Sequence, residues 1–136
     1  NAGVYKPHLM KELRDRSGKV IKKFEPEIIR SGQMKESTHK VILAGLDSVV
    51  NHPGGTGKRG AVKGIRVGGK TGSWEWKKGE KTHAWFAGVA PLYAPEIAVS
   101  VILEAAGGGG ALAAPIARQV MEAYFSRDSL TIGNNQ

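Results

Sequence analysis

Between Lys35 and Val50 the apolar residues Val41, Ile42, Leu46, Val49 and Val50 recur at three- and four-residue steps, the spacing that gathers side chains on one face of a helix. The pattern predicts an amphipathic helix with one buried stripe. Ser37 stands where a side-chain oxygen can cap its start. Asn51-His52-Pro53-Gly54-Gly55 ends it, because proline cannot continue a helix and glycine relaxes the backbone. Ahead of the helix, residues 5–25 alternate loosely around Ser17-Gly18, a turn pair between Leu9-Met10-Lys11-Glu12-Leu13 and Val20-Ile21-Lys22-Lys23-Phe24. Two short strands or extended arms are expected there.

After the helix, residues 54–69 are crowded with glycine and lysine and read as a loop with at most a short extended piece. Three strand patterns follow: Gly69 to Trp76, rich in Thr and Trp; His83 to Val89; and Ile97 to Leu103, apolar enough to be covered on both faces. Their short connections predict an antiparallel meander. Beyond the glycines at 107–110, Pro115 is expected to start a helix in which Ile116, Val120 and Tyr124 share a face, with Ala117, Met121 and Phe125 beside it. Residues 126–136 are polar and read as a loose tail. The order implies an α+β domain, an antiparallel sheet flanked by helices. Two helices are few for covering both faces of a central strand, so part of the domain is expected to lie outside this chain.

Composition narrows this only a little. The 136 residues suit one domain, read as a single unit over 1–136, and 24% charged with 40% hydrophobic residues is ordinary for a globular protein. The net charge of +8 favours anionic partners. The basic residues are scattered rather than striped among aromatics, so a nucleic-acid partner is not expected. Cysteine is absent, which removes disulfides, thiol catalysis and cysteine-bound zinc. The histidines at 8, 39, 52 and 83 show no ligand spacing, so neither a metal nor another cofactor is expected. The longest apolar run is too short to cross a bilayer.

Two chemical readings compete for one segment. Gly64-Ile65-Arg66-Val67-Gly68-Gly69-Lys70-Thr71 matches the phosphate-loop formula G-x-x-x-x-G-K-[ST]. That chemistry needs a buried strand before the loop and a helix directly after the lysine. Gly60-Ala61-Val62-Lys63 makes no buried strand and Gly72-Ser73-Trp74-Glu75-Trp76 starts no helix, so the nucleotide reading is discounted. Read instead as the opening of a strand, Lys70 supplies positive charge, Thr71 and Ser73 supply hydroxyl donors, and Gly72 lets a peptide backbone come close. That set suits a carboxylate-bearing peptide. Alone, the tetrapeptide would equally fit an ordinary exposed edge strand.

Its surroundings decide between them. Lys70-Thr71-Gly72-Ser73, then His83-Ala84-Trp85-Phe86-Ala87-Gly88-Val89-Ala90-Pro91, Pro95-Glu96-Ile97-Ala98-Val99, the glycines 107–110 and Ala114-Pro115-Ile116-Ala117 follow in one order. Upstream stand Asn1-Ala2-Gly3, Lys6-Pro7-His8-Leu9 and Gly45-Leu46-Asp47-Ser48-Val49-Val50 before Gly55-Thr56. Over nearly its whole length the chain resembles class B penicillin-binding proteins, especially the penicillin-binding protein 2 type. The resemblance implies a β-lactamase/transpeptidase-like fold, incomplete in this chain, which would be the C-terminal part of the transpeptidase domain over 1–136. It also implies a peptidoglycan D,D-transpeptidase that works through three motifs, S-x-x-K with the acylated serine, S-x-N and K-T-G.

The resemblance assigns Lys70 and the Thr71 and Ser73 hydroxyls to the terminal carboxylate of a D-Ala-D-Ala stem peptide, or of a β-lactam that mimics it. Gly72 lets the peptide lie along the strand, and the Ser73 backbone N–H forms half of an oxyanion hole. The nucleophile is expected outside this chain, on the remainder of the domain carrying S-x-x-K and S-x-N. The implied location is the periplasmic face of the bacterial inner membrane, with a membrane glycosyltransferase as a further partner. Ser37-Thr38-His39-Lys40 also fits S-x-x-K, but it lies too near Lys70 and no S-x-N separates them; Ser37 reads as a helix cap. His83 beside Trp85 and Phe86 reads as structural, and Trp74, Trp76 and Trp85 as packing residues. The rival reading is a basic, non-catalytic module for anionic cell-wall polymer or nucleic acid.

Overall fold

The computed structural model describes residues 2–132, and the chain divides into two compact units after His39. The first unit holds two antiparallel strand pairs. Strand β2 (Glu12–Arg14) pairs with β3 (Val20–Lys23) around the expected turn at Ser17-Gly18. Asp15 builds that turn: its Oδ1 accepts the Ser17 hydroxyl at 2.6 Å and the N–H groups of Ser17 and Lys19 at 2.8 and 3.0 Å. These donors, the Ser17 hydroxyl foremost, hold the Asp15 carboxyl below its ordinary value. Gly18 takes φ +87°, which a side chain rarely tolerates. The second pair, β1 (Ala2–Tyr5) with β4 (Ile28–Gly32), has no counterpart in the expected elements. Every residue of β4 is exposed, so no alternation of burial marks it in the sequence.

Helix α1 (Glu36–Asn51) matches the predicted span, with two corrections. Ser37 lies inside its first turn rather than at the cap, because the first helical bond runs from His39 N–H to the Lys35 carbonyl. The apolar stripe is only partly buried: Val50 is buried and Leu46 and Val49 half-buried, whereas Val41 and Ile42 are 72% and 42% exposed.

The second unit is built on a three-stranded antiparallel meander in the order β5 (Gly68–Trp74), β6 (His83–Ala90), β7 (Ile97–Leu103). Its register pairs Thr71 with Phe86 and Phe86 with Val101. By strand periodicity Ala84, Phe86 and Ala90 share a face with the half-buried Ile97, Val99, Val101 and Leu103, and this face packs on helix α2 (Gly109–Ile132). The opposite face is open in this chain, with Ile102 46% exposed. β7 therefore alternates and is covered on one side, not on both as its apolar run suggests.

The core centres on Phe86, fully buried with Val67, Ala113, Ala114, Ala117 and Met121. Its ring lies against bare backbone. A Cβ at Gly69, Gly88 or Gly60 would come within 2.5, 2.7 or 2.9 Å of the ring, and one at Gly57 within 3.1 Å. Small residues on α2 let the helix settle on this sheet, so burial falls on the Ala113, Ala117 and Met121 row. Ile116, Val120 and Tyr124 face outward.

Helix α2 starts six residues before Pro115 instead of at it. A proline inside a helix offers no N–H to the carbonyl four residues back, here that of Ala111. Arg59 Nη1 donates to that carbonyl at 3.1 Å, which supplies the missing bond. The helix also runs through Ile132, over part of the stretch read as a loose tail; residues 133–136 lie outside the described residues.

Asp47 fastens α1 to the segment before β5. Arg66 donates to it twice, Nε to Oδ1 at 2.6 Å and Nη2 to Oδ2 at 2.5 Å, and Asn51 Nδ2 adds a bond to Oδ1 at 2.9 Å while also reaching the Val67 carbonyl at 2.8 Å. These partners, Arg66 first, hold the Asp47 carboxyl below its ordinary value despite partial desolvation. A carboxylate with a depressed folded-state pKa stabilises the fold above its unfolded value of about 4, and the contribution fades as pH falls through the folded value. Asp47→Asn is expected to flatten the acid limb of a melting-temperature profile below about pH 5. An unchanged limb would remove this pair from the causes of acid unfolding.

Candidate substrate-binding edge

Lys70, Thr71, Gly72 and Ser73 occupy the middle of β5, and among the described residues no strand pairs with the outer side of β5. A strand in this position leaves the N–H and C=O of every second residue unpaired. The Lys70 ammonium donates to the Thr71 carbonyl, which places Thr71 among the residues whose backbone groups look outward. Ser73, two residues on, shares that sense by periodicity. The strand thus offers a row of backbone groups beside an exposed ammonium and the exposed Ser73.

The four residues do not share one face. Lys70 and Gly72 lie on the open side of the sheet, where Lys70 borders a groove of about 330 Å³ lined by Leu46, Ala87, Val89, Ala98 and Ser100. Thr71 and Ser73 lie on the α2 side. What brings Lys70 to Thr71 is the lysine's length, which lets it fold back to the edge. Gly72 has a packing reason beyond ligand access, since a Cβ there would sit 3.2 Å from that of Trp85.

Thr71 is half-buried and its Oγ1 lies 2.8 Å from Thr56 Oγ1. No role for Thr56 follows from the sequence pattern; the only signal is its place in Gly55-Thr56-Gly57, two glycines around one hydroxyl just after a helix end. His83 works as scaffold: its Nδ1 accepts the Ala105 N–H at 2.9 Å and its ring lies 5.2 and 5.9 Å from the rings of Trp74 and Trp76. The phosphate-loop geometry is not met, because Lys70 and Thr71 are mid-strand and the chain continues as strand to Trp74. Among the described residues no group of three or more His, Cys, Asp or Glu side chains is placed to hold a metal.

Comparison with known proteins agrees with this architecture. The penicillin-binding protein transpeptidase domain model matches residues 1–122. The peptidoglycan D,D-transpeptidase MrdA of Haemophilus influenzae is 35% identical over 144 residues, covering 93% of this chain and 22% of that protein. The D,D-transpeptidase domain of a peptidoglycan glycosyltransferase from Eggerthella lenta superposes with a TM-score of 0.74 at 25% identity, over 94% of this chain and 29% of that one. Penicillin-binding protein A of Mycobacterium tuberculosis, solved as a ceftriaxone acyl-enzyme, superposes with a TM-score of 0.70 at 29% identity, over 89% and 28%. The chain spans about a fifth of the length of the curated relatives it matches. On the match of its sequence to the family model and of its fold to solved domains, the chain belongs to the penicillin-binding protein transpeptidase family.

Proposed function

We propose that this chain supplies the substrate-binding edge of a peptidoglycan D,D-transpeptidase. The observation that carries the reading is the position of Lys70-Thr71-Gly72-Ser73 on β5, whose outer side pairs with no strand among the described residues, with the Thr71 carbonyl turned outward to the Lys70 ammonium. A D-Ala-D-Ala stem peptide lies along this edge, its terminal carboxylate held by Lys70 and by the Thr71 and Ser73 hydroxyls. A serine on the remainder of the domain, with its S-x-x-K and S-x-N motifs, attacks the penultimate carbonyl. The Ser73 N–H takes one side of the developing oxyanion, D-alanine leaves, and the acyl group passes to an acceptor amine. A β-lactam enters as a mimic of the peptide, as ceftriaxone does in the Mycobacterium tuberculosis relative.

The same reading places the protein at the periplasmic face of the inner membrane, with a membrane glycosyltransferase as a partner. No helix among the described residues is long and apolar enough to cross a membrane, so an anchor would belong to the remainder.

The test is acylation of the complete domain by a fluorescent penicillin. Lys70→Ala is expected to lower the acylation rate by about 10- to 100-fold, the size of a lost charge-assisted bond. The 136-residue chain alone should not be labelled, and labelling at Ser37 would overturn the assignment of the nucleophile to another segment. Salt-sensitive binding of cell-wall polymer that survives Lys70→Ala, with no acylation, would favour the non-catalytic module instead.

A further inference from the structure

The pair of hydroxyls at Thr56 and Thr71 raises a question of proton direction. A hydroxyl has one proton to donate and two lone pairs to accept with. Across the 2.8 Å between the two Oγ1 atoms, only one of them can be the donor. Were Thr71 to donate to Thr56, it would have nothing left for an anion. With Thr56 as the donor, the Thr71 proton is free. An anionic substrate accepts only, so its arrival at Thr71 favours this second arrangement.

Thr56 is held for the task by backbone on several sides. A Cβ at Gly55 would sit 2.4 Å from the Val49 carbonyl oxygen, and the Gly57 N–H donates to the same oxygen at 2.8 Å. The Thr56 carbonyl in turn lies 1.9 Å from where a Cβ on Gly110 would be. The end of α1 and the first turn of α2 therefore both crowd the Gly55-Thr56-Gly57 backbone, while the Thr56 hydroxyl reaches β5.

We infer that Thr56 is a positioning residue: it donates its hydroxyl proton to Thr71 and so commits the Thr71 O–H to the substrate carboxylate. This rests on the transpeptidase reading, since it presumes a carboxylate at Thr71. Thr56 touches no substrate itself and acts only through Thr71.

The test uses the complete domain and a penicillin both as the free acid and as its carboxylate methyl ester, with Thr56→Val, Thr71→Val, their combination, and Thr56→Ser. Thr56→Val is expected to slow acylation by the acid about tenfold, with little change for the ester. It should add nothing to Thr71→Val, because two residues that act in series do not add. Serine at 56 should keep the rate within about threefold. Thr56→Val at the parental rate, equal losses for acid and ester, or additive losses in the double variant would each overturn the inference. If valine at 56 prevents folding, Thr56→Ala and Thr56→Ser carry the comparison: an acid-specific loss in alanine alone supports it, and equal rates in both overturn it. A parent domain that is not acylated, or one indifferent to Lys70→Ala, defeats the transpeptidase reading. A parent that is acylated and sensitive at Lys70 but indifferent at Thr56 defeats this inference alone.

Discussion

Phe86→Ala is expected to destabilise the second unit by about 3–5 kcal/mol, enough to consume much of the 5–15 kcal/mol that holds an ordinary domain. The magnitude follows from how the ring is enclosed. Large-to-small substitutions cost most where the surroundings cannot collapse into the vacated space. Here part of the wall is the backbone of Gly57, Gly60, Gly69 and Gly88, which have no side chains to swing inward. They belong to a hydrogen-bonded sheet and a tight connecting segment. Denaturant unfolding followed by tryptophan fluorescence should show a lower midpoint with an unchanged slope. A loss below about 1 kcal/mol would mean the cage relaxes, contrary to the geometry. Because Phe86 stands opposite Thr71 in the register, β5 should loosen with it.

Gly110→Ala is the second large effect. Its methyl group would be built 1.9 Å from the Thr56 carbonyl oxygen, a separation no non-bonded pair can hold. Backbone would have to move, either in the first turn of α2 or in Gly55-Thr56-Gly57. The expected cost is at least about 2 kcal/mol, at the upper end of what overpacking brings, together with slower acylation of the complete domain as Thr56 shifts from Thr71. Gly108→Ala is the matched control. Nothing lies within 4 Å of its added carbon, and its effect should stay within about 0.5 kcal/mol. If both substitutions behave alike in thermal unfolding, the close approach at Gly110 is not what fixes α2.

The meander was the most legible part of the fold, since runs of β-forming residues separated by turn residues mark β5, β6 and β7, although the apolar run of β7 hid its alternation. The strand context of Lys70 and Thr71 was legible as well, and it excludes the phosphate-loop reading. The first failure was at β1 and β4, whose residues are too exposed to carry a period. The second was at Ser37, where a capping residue type fell one step inside the helix. The stripe on α1 was read correctly as apolar and wrongly as buried: Val41 and Ile42 have the right spacing, and periodicity cannot say whether the covering surface is in the same chain. The contact of Thr56 with Thr71 was invisible for a different reason. The two lie fifteen residues apart across a loop, and no local pattern reports a bond made in three dimensions.

The same non-local logic applies to α2. With proline at 115, the helix does not contain all the donors that its own first turn requires, and the missing one is a guanidinium carried 52 residues earlier in the chain. The first turn of α2 is thus a tertiary structure rather than a secondary one: it is complete only after the segment carrying Arg59 has reached it. An excised peptide of the same sequence would fray from Gly109 to Pro115. Those seven residues are the ones that set Gly110 against Thr56, so the placing of Thr56 beside Thr71 depends on a contact that the helix cannot complete alone.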